Sequence, residues 1–395
     1  MSLLRQHVRG AARSLFPSCL LSHSPSHVRR TVHTKDVAQN ASQTRPTHPR
    51  VVFSGIQPTG MPHLGNMLGA LMNWVKLQRE AAPEDKLIFS IVGWHALTLP
   101  QDPKELSAAR REILAVLLAC GIDPKRSIVF HQDENRHHAE LAWILNCITP
   151  MGKLHRMTTW KSRLAASRNA RDDSEVDESL LNVGLFTYPV LQAADILAYK
   201  TTHVPVGEDQ QQHIELCRDL AVTFNKTFKG GKDDPPVFPL PRHVIPSTSC
   251  RVLSLKDPSS KMSKSSPDVN SRILLTDSAE QINKKIRRAV TDSITGISYD
   301  SDTRPGIANL VDILAACEDA KPQDVAVRYA NRSHAEFKMD VAEAVEGLMS
   351  GPRREFERLR RDIAYLDSVS KSGAARAMEI TEKTIDEVRK RTGLY

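Results

Sequence analysis

The sequence has no apolar run approaching the length needed to span a bilayer, which excludes a membrane-crossing helix. Its six cysteines, Cys19, Cys120, Cys147, Cys217, Cys250 and Cys317, stand far apart. No pair has metal-ligand spacing, so the chain offers neither a zinc site nor a disulfide framework. Internal repeats are missing. Acids are missing too from the start of the chain, where none precedes Asp36.

That last absence explains the overall charge. The first fifty residues hold eight lysines and arginines against the single acid Asp36, so they carry +7 of the net +8, and the remainder is close to neutral. The basic balance is therefore not a nucleic-acid signal spread over the protein. An Arg-rich, Ser-rich, acid-poor stretch with short apolar pieces, Leu3-Leu4 and Leu15-Phe16, has the composition of a mitochondrial presequence. A basic tail that binds RNA directly is the other reading. Either way residues 1–48 stand outside the fold. The remaining composition, 40% apolar and 25% charged over 395 residues, is that of a globular chain of two or three domains.

From residue 51 onward strands alternate with helices. Val51–Ser54 reads as a buried strand, 55–65 as a Gly- and Pro-bearing turn, and Asn66–Val75 as a helix. Strand, glycine turn and helix form a phosphate-binding unit. Further strands are expected at Lys86–Val92, Ser127–Phe130, Thr202–Val206 and Arg251–Leu255. Helices are expected at Pro103–Cys120, His137–Ile148, Leu180–Lys200 and from Gly207 to Phe224. Pro189 is placed at the first turn of the second half of its helix, where a missing N–H is tolerated. Lys161–Glu178 reads as a polar loop and 228–246 as a Gly/Pro-rich connection. The alternation implies a parallel sheet covered on both faces. Beyond Ser278 the spacing is helical throughout, at 279–290, 306–317, 341–349 and 353–367. The expected organisation is an α/β, Rossmann-like catalytic domain over 49–272 and a helical domain over 273–395.

Two short stretches carry chemistry. Pro62-His63-Leu64-Gly65-Asn66 lies in the glycine turn, where Gly65 admits a close backbone approach, His63 and Asn66 offer neutral donors, and the helix N-terminus adds positive potential. Far downstream stands Lys261-Met262-Ser263-Lys264-Ser265, two ammonium groups on a polar loop. Taken alone, such a loop is usually a solvated turn. Together the two stretches resemble the paired signatures of class I aminoacyl-tRNA synthetases. Three more runs, FSGIQPTG at Phe53–Gly60, TYPVLQAADILAYK at Thr187–Lys200 and VPVGEDQQQHIELCRDLA at Val204–Ala221, resemble the tryptophanyl branch in its bacterial and organellar form, along nearly all of residues 51–395. The Gly-Glu-Asp-Gln-x-Gln-His run is the most specific, because the tyrosyl branch lacks it.

The resemblance implies activation of L-tryptophan by ATP with Mg²⁺, followed by transfer to a tRNA for tryptophan, by a homodimer. The presequence places it in the mitochondrial matrix. His63, Asn66, Lys261 and Lys264 would be catalytic. Gln57, Gly65, Lys161, Val252, Met262 and Ser263 would join them in binding ATP; for Lys161 a solvated side chain is the equal alternative. Phe53, Gly55, His95, Tyr188, Gln192, Asp195, Ile196, Val204, Val206 and Gln210 would form the tryptophan site. Asp195 would accept from the indole N–H, the one polar group of that ring. Two departures bear on amino-acid contact: Gln192 stands where many relatives carry Met, and Gly93 where they carry Asp. No protein-held metal is expected, and the scattered cysteines do not suit the iron–sulfur cluster of some relatives. The paired bases Lys284-Lys285, Arg287-Arg288, Arg353-Arg354, Arg360-Arg361 and Lys390-Arg391 fall in the helical region that, in this family, reads the anticodon. Competing readings are a mitochondrial tyrosyl enzyme, a small nucleotidyltransferase, and a non-catalytic RNA-binding protein on the same fold.

Overall fold

The computed structural model describes residues 49–167, 178–207, 210–244, 251–264 and 266–395. The expected presequence lies outside them, as do most of the polar loop after Ser167, Glu208-Asp209, residues 245–250 and Ser265. All the described residues belong to one compact unit, Pro46–Tyr395.

Five strands, β1 (Val51–Ile56), β2 (Lys86–Ile91), β3 (Ile128–His131), β4 (His203–Pro205) and β5 (Arg242–Val244), form a fully parallel sheet in the order β3-β2-β1-β4-β5. β1 is in register with β2 from Val51 opposite Lys86 to Ile56 opposite Ile91. The chain runs outward from β1 to β3, then returns to lay β4 against the other side of β1. A crevice opens at such a reversal, beyond the carboxyl ends of the strands, and open α/β sheets bind ligands there.

Successive strand residues face opposite sides, and each side has its own core. Val52, Leu87, Phe89, Ile91 and Val129 enter one; Phe53, Ile88, Ile128, Phe130 and Val204 enter the other. The major helices are α1 (Met72–Glu80), α2 (Pro103–Ala119), α3 (His137–Cys147), α4 (Thr159–Ser167), α5 (Val183–Leu197), α6 (Gln211–Thr227), α7 (Ala279–Arg287), α8 (Pro305–Glu318), α9 (Pro322–Tyr329), α10 (His334–Leu359) and α11 (Ile363–Thr392). The first core holds α1, α2 and α7 to α10, and the second α3 to α6. α11 contributes to both: Leu366 and Val369 to the first, Ala374, Ala377, Ile385 and Val388 to the second. It crosses the outer edge of β3. At Gly373 the helix comes so close that a Cβ would overlap the Val129 carbonyl oxygen. Arg376 Nη1 donates to the Pro124 carbonyl (2.7 Å), and Ser370 Oγ donates to Glu134 (2.8 Å). An open strand edge is thereby covered by a helix.

Several elements differ from the sequence reading. Arg251–Leu255 forms no strand; one bridge joins Leu253 to Lys261. Asn309 of α8 takes the place of a neighbouring strand, accepting from Leu253 N–H (2.8 Å) and donating to its carbonyl (3.2 Å). Pro189 sits inside α5 without ending it. Burial of Leu185, Val190, Ala193 and Ala194 around it outweighs a penalty of about 3 kcal/mol for interior proline. Lys161–Ser167 is helix rather than loop, β5 lies inside the Gly/Pro-rich connection, and α6 begins at Gln211. The two short segments expected at 341–349 and 353–367 are redistributed between the long α10 and α11, the break falling after Leu359.

Replacing Gly373 with Ala should lower stability by roughly 1–3 kcal/mol, the usual cost of overpacking. A shift of the urea midpoint checks it, and an unchanged midpoint would show that α11 does not seat on β3.

Candidate active site

At the reversal point β1, the loop after β4, α5 and the first helical run enclose a cavity of about 330 Å³. That helical run starts at Leu64–Asn66, passes through a π turn at Met67–Leu71 and continues as α1. Asn73 Nδ2 donates to the Gly69 carbonyl (3.0 Å) beside the π turn, and Gly69, Ala70, Asn73 and Trp74 line the cavity. All ten residues of the expected amino-acid site, Phe53, Gly55, His95, Tyr188, Gln192, Asp195, Ile196, Val204, Val206 and Gln210, line this same cavity, and Gln57 does too.

Asp195 is its electrostatic centre. The carboxylate is 1% exposed, and among the described residues no lysine or arginine forms an ion pair with it. Its oxygens accept from His95 Nε2 (2.8 Å), Gln132 Nε2 (2.8 and 2.9 Å) and His138 Nδ1 (2.7 Å). Burial pushes its pKa up, but the hydrogen bonds from His138 and then His95 outweigh that and hold it below the usual carboxylate range. Gln132 and His138 escaped the sequence reading. Neither lies in a motif: one follows β3 and the other opens α3.

The opposite wall is organised by His213, 1% exposed on α6. Its Nδ1 lies 2.7 Å from Gln192 Oε1 and 2.9 Å from Gln210 Oε1, and its Nε2 2.8 Å from Thr159 Oγ1. Tyr188 donates to the same threonine (2.7 Å). His213 ends the Gly-Glu-Asp-Gln-x-Gln-His run, and nothing in its neighbouring residues signals these contacts. On α4, the Arg163 guanidinium lies 4.4 Å from the Tyr188 ring centroid and lines the cavity. Lys161, two residues earlier, is not among the lining residues; its ammonium lies 5.2 Å from the Trp160 ring centroid.

The second half of the site is cationic. His63 caps the first helical run: its Nδ1 accepts from Asn66 N–H (3.3 Å), and Asn66 Oδ1 accepts from His63 N–H (3.2 Å). The ring proton therefore sits on Nε2. Burial, then Lys264, Lys261 and Arg272, depress the His63 pKa to about 4, so the ring is neutral at ordinary pH. Gly65 leaves room for that ring, because a Cβ there would stand 3.0 Å from His63 Cε1. Lys264 donates to the Gly60 carbonyl (2.8 Å), and burial lowers its pKa to about 8.

The lysine loop is anchored from beneath. Val252 and Met262 are buried in the first core, and Met262 N–H donates to the Val252 carbonyl (3.1 Å). Past the loop, Leu64 N–H donates to Ile273 O (2.8 Å) and Leu275 N–H to Pro62 O (3.0 Å). That pairing carries Arg272, which the sequence reading missed, to the His63 turn. Arg272 Nη1 donates to the Ser266 carbonyl (2.7 Å). The arrangement joins a polar-centred apolar cavity to a neutral donor and a set of cations suited to phosphates.

Comparison with known proteins bears on this geometry. Residues 45–350 match the family model of tRNA synthetases class I (W and Y). The mitochondrial tryptophan–tRNA ligase of Schizosaccharomyces pombe is 45% identical over 355 residues, covering 88% of this chain and 96% of its own. The crystal structure of tryptophanyl-tRNA synthetase from Mycoplasma pneumoniae superposes with a TM-score of 0.76 at 31% identity, covering 88% of this chain and 99% of that one. The Campylobacter jejuni tryptophanyl-tRNA synthetase complexed with ADP and tryptophan gives 0.69 at 29% identity, covering 87% and 99%.

Nitrogen-detected NMR of labelled histidine should find His63 as the Nε2–H tautomer, titrating near 4. Lys264→Ala removes a neighbouring cation, so the pKa should move up towards 6.5, and burial should stop it short. A His63 titrating near 6.5 before the substitution would contradict the cationic cluster.

Proposed function

The chain belongs to the class I tRNA synthetases for tryptophan and tyrosine, and from that premise we propose how its residues divide the work of joining tryptophan to tRNA. The chain is an enzyme of the tryptophan branch, a tryptophan–tRNA ligase that uses ATP. The observation that carries the division is the convergence of ten lining residues on one cavity centred on Asp195.

The indole enters between Phe53, Ile196, Val204 and Val206, and its N–H donates to Asp195, with His95 closing the pocket. A ring without a donor forgoes a charge-assisted hydrogen bond to that buried carboxylate and binds more weakly. Tyr188, Gln192 and Gln210 hold the α-amino group, their side chains set by His213 and Thr159. Gly55 lets the main chain come close to the substrate. The tryptophan carboxylate then attacks the α-phosphorus of ATP. The bond to the bridging oxygen breaks, and pyrophosphate leaves with its electron pair.

Positioning and charge stabilisation do most of this chemistry. His63 Nε2–H, the Asn66 amide and Gln57 donate to phosphate oxygens from one side, over Gly65. Lys261 and Lys264 hold the β- and γ-phosphates from the other, on a loop footed by Val252 and Met262, with Ser263 between them. To do so, Lys264 exchanges the Gly60 carbonyl for phosphate. Arg163, which faces the cavity, is better placed than Lys161 for an added contact. Mg²⁺ accompanies ATP and neutralises phosphate charge. Its ligands would be phosphate oxygens and water rather than a protein cage. In the second half-reaction a terminal ribose hydroxyl of the tRNA attacks the tryptophanyl carbonyl, and AMP leaves.

By function the chain divides into an activating part, 49–272, and a helical tRNA-binding part, 273–395. Of the paired bases, Lys285, Arg353 and Arg360 are engaged with Asp277, Glu346 and Glu112. The exposed Lys284, Arg287, Arg288, Arg354 and Arg361 are the ones suited to phosphate contacts. The enzyme is mitochondrial, like its yeast relative; the acid-poor basic stretch before residue 49 supports import into the matrix.

A homodimer is favoured by exposed apolar side chains on three neighbouring helices, Trp143 (72%), Met151 (59%) and Val183 (76%). Light scattering should give twice the chain mass, falling to a monomer for Trp143→Glu; a monomeric parent overturns the dimer.

Isotope exchange between pyrophosphate and ATP should require L-tryptophan. Lys264→Ala should slow it roughly a hundredfold or more with little change in the KM for tryptophan. Exchange driven by tyrosine would overturn the Asp195 reading, and exchange with no amino acid would overturn the activity.

A further inference from the structure

Behind Asp195, on the side away from the cavity, a chain of buried polar groups leads through the second core to the last helix. His138 Nε2 lies 2.8 Å from the Tyr199 hydroxyl, which also accepts from Asn135 Nδ2 (3.2 Å). Asn135 Nδ2 lies 3.0 Å from Thr381 Oγ1 on α11, and His137 Nδ1 lies 2.8 Å from the same oxygen. Thr381 in turn donates to the Met378 carbonyl (3.2 Å). Asn135, His137, His138 and Thr381 are fully buried, and Tyr199 nearly so.

The donor inventory gives this chain a direction. A carboxylate only accepts, so His138 Nδ1 must carry a proton. Tyr199 receives a hydrogen bond from Asn135, leaving its own proton for His138 Nε2. None of these groups lines the cavity, so none touches an amino acid held there. The Tyr199 ring does stack on Phe53, at 5.4 Å and 17°, and Phe53 is a cavity wall.

We infer that His138 is a positioning residue for tryptophan recognition: braced by Tyr199 and, through Asn135, by Thr381 of α11, it holds the Asp195 carboxylate in the orientation that meets the indole N–H. The inference rests on the proposed role of Asp195. Three considerations single out His138 among the three donors. A carboxylate rotates freely about its last bond unless its donors are themselves fixed. His95 lines the cavity and faces the incoming substrate, so it cannot serve as a constant reference. Gln132 spans both oxygens and tolerates either orientation. His138 alone among them addresses one oxygen and is pinned at its far nitrogen. The pin is Tyr199, itself held through Asn135 by Thr381 on a helix some 240 residues downstream, so the last helix takes part in the amino-acid site without approaching it.

The test separates N–H recognition from general packing. Pyrophosphate exchange is measured on the full chain with L-tryptophan and with 3-(benzothiophen-3-yl)-L-alanine, which has sulfur in place of the indole N–H. The parent should prefer tryptophan. His138→Phe keeps a ring and removes both nitrogens; it should cut the preference roughly tenfold or more, through loss of kcat/KM for tryptophan with the analogue little changed. His138→Asn returns a donor at the Nδ1 position and should restore most of the preference. Thr381→Val, nearly isosteric and remote, should reduce it in the same direction by less. Equal losses for both substrates, or a preference unmoved by His138→Phe, would make His138 a packing residue and overturn the inference. If His138→Phe does not fold, an unmoved preference in Thr381→Val overturns it. Asp195→Asn is the control: if the preference survives that change, the reading of Asp195 itself fails.

Discussion

A carboxylate buried among histidine and amide donors constrains much of this molecule. Water would solvate Asp195 far better than an apolar interior does, so its burial requires several directed donors. They come from separate places: His95 from the turn after β2, Gln132 from the end of β3, and His138 from the start of α3. Asp195 itself comes from α5. Four segments meet at one side chain, beside the point where the strand order reverses.

The phosphate end obeys a different logic. There the cations come first, and the groups near them adapt. Burial first, and then two lysines and an arginine, disfavour the protonated form of His63, and its depressed pKa makes it a neutral donor. The fixed tautomer follows from its helix-capping bond. The lysines sit on a short polar loop whose two ends are pinned by buried apolar residues. Such a loop can move its charged tips without losing its footing, which suits groups that must exchange a backbone carbonyl for phosphate.

α11 connects the two cores and closes one edge of the sheet. A side chain at Gly373 would prevent that approach, so a single missing Cβ determines whether the helix can lie against β3. From there its residues reach the polar segment 131–138, through Ser370 to Glu134 and through Thr381 to Asn135 and His137. The assignment of the C-terminal third to tRNA binding therefore does not make it independent of the amino-acid pocket.

Much was legible in the sequence because local chemistry determined it. The alternation of strand and helix, the glycine turn before a helix, the polar lysine loop and the aspartate flanked by apolar residues each needed only a few neighbouring residues. The ten cavity residues were legible for a further reason: their runs resemble a family in which the same pocket recurs. What stayed hidden depended on partners distant in sequence. Nothing near Leu253 says that Asn309 will complete its backbone hydrogen bonds, so a strand was expected where none forms. Nothing near Pro189 says that the core will carry a helix through it. Gln132, His138 and Arg272 lie at ordinary-looking positions, and His213, though it ends the most specific run, has no local signal for its contacts; each acquires a role only through what folding sets beside it. A short-range pattern determines which element forms and which chemistry is available. Desolvation and long-range hydrogen bonding, which exist only in the folded chain, decided which of those groups are charged, which way they point and what they hold in place.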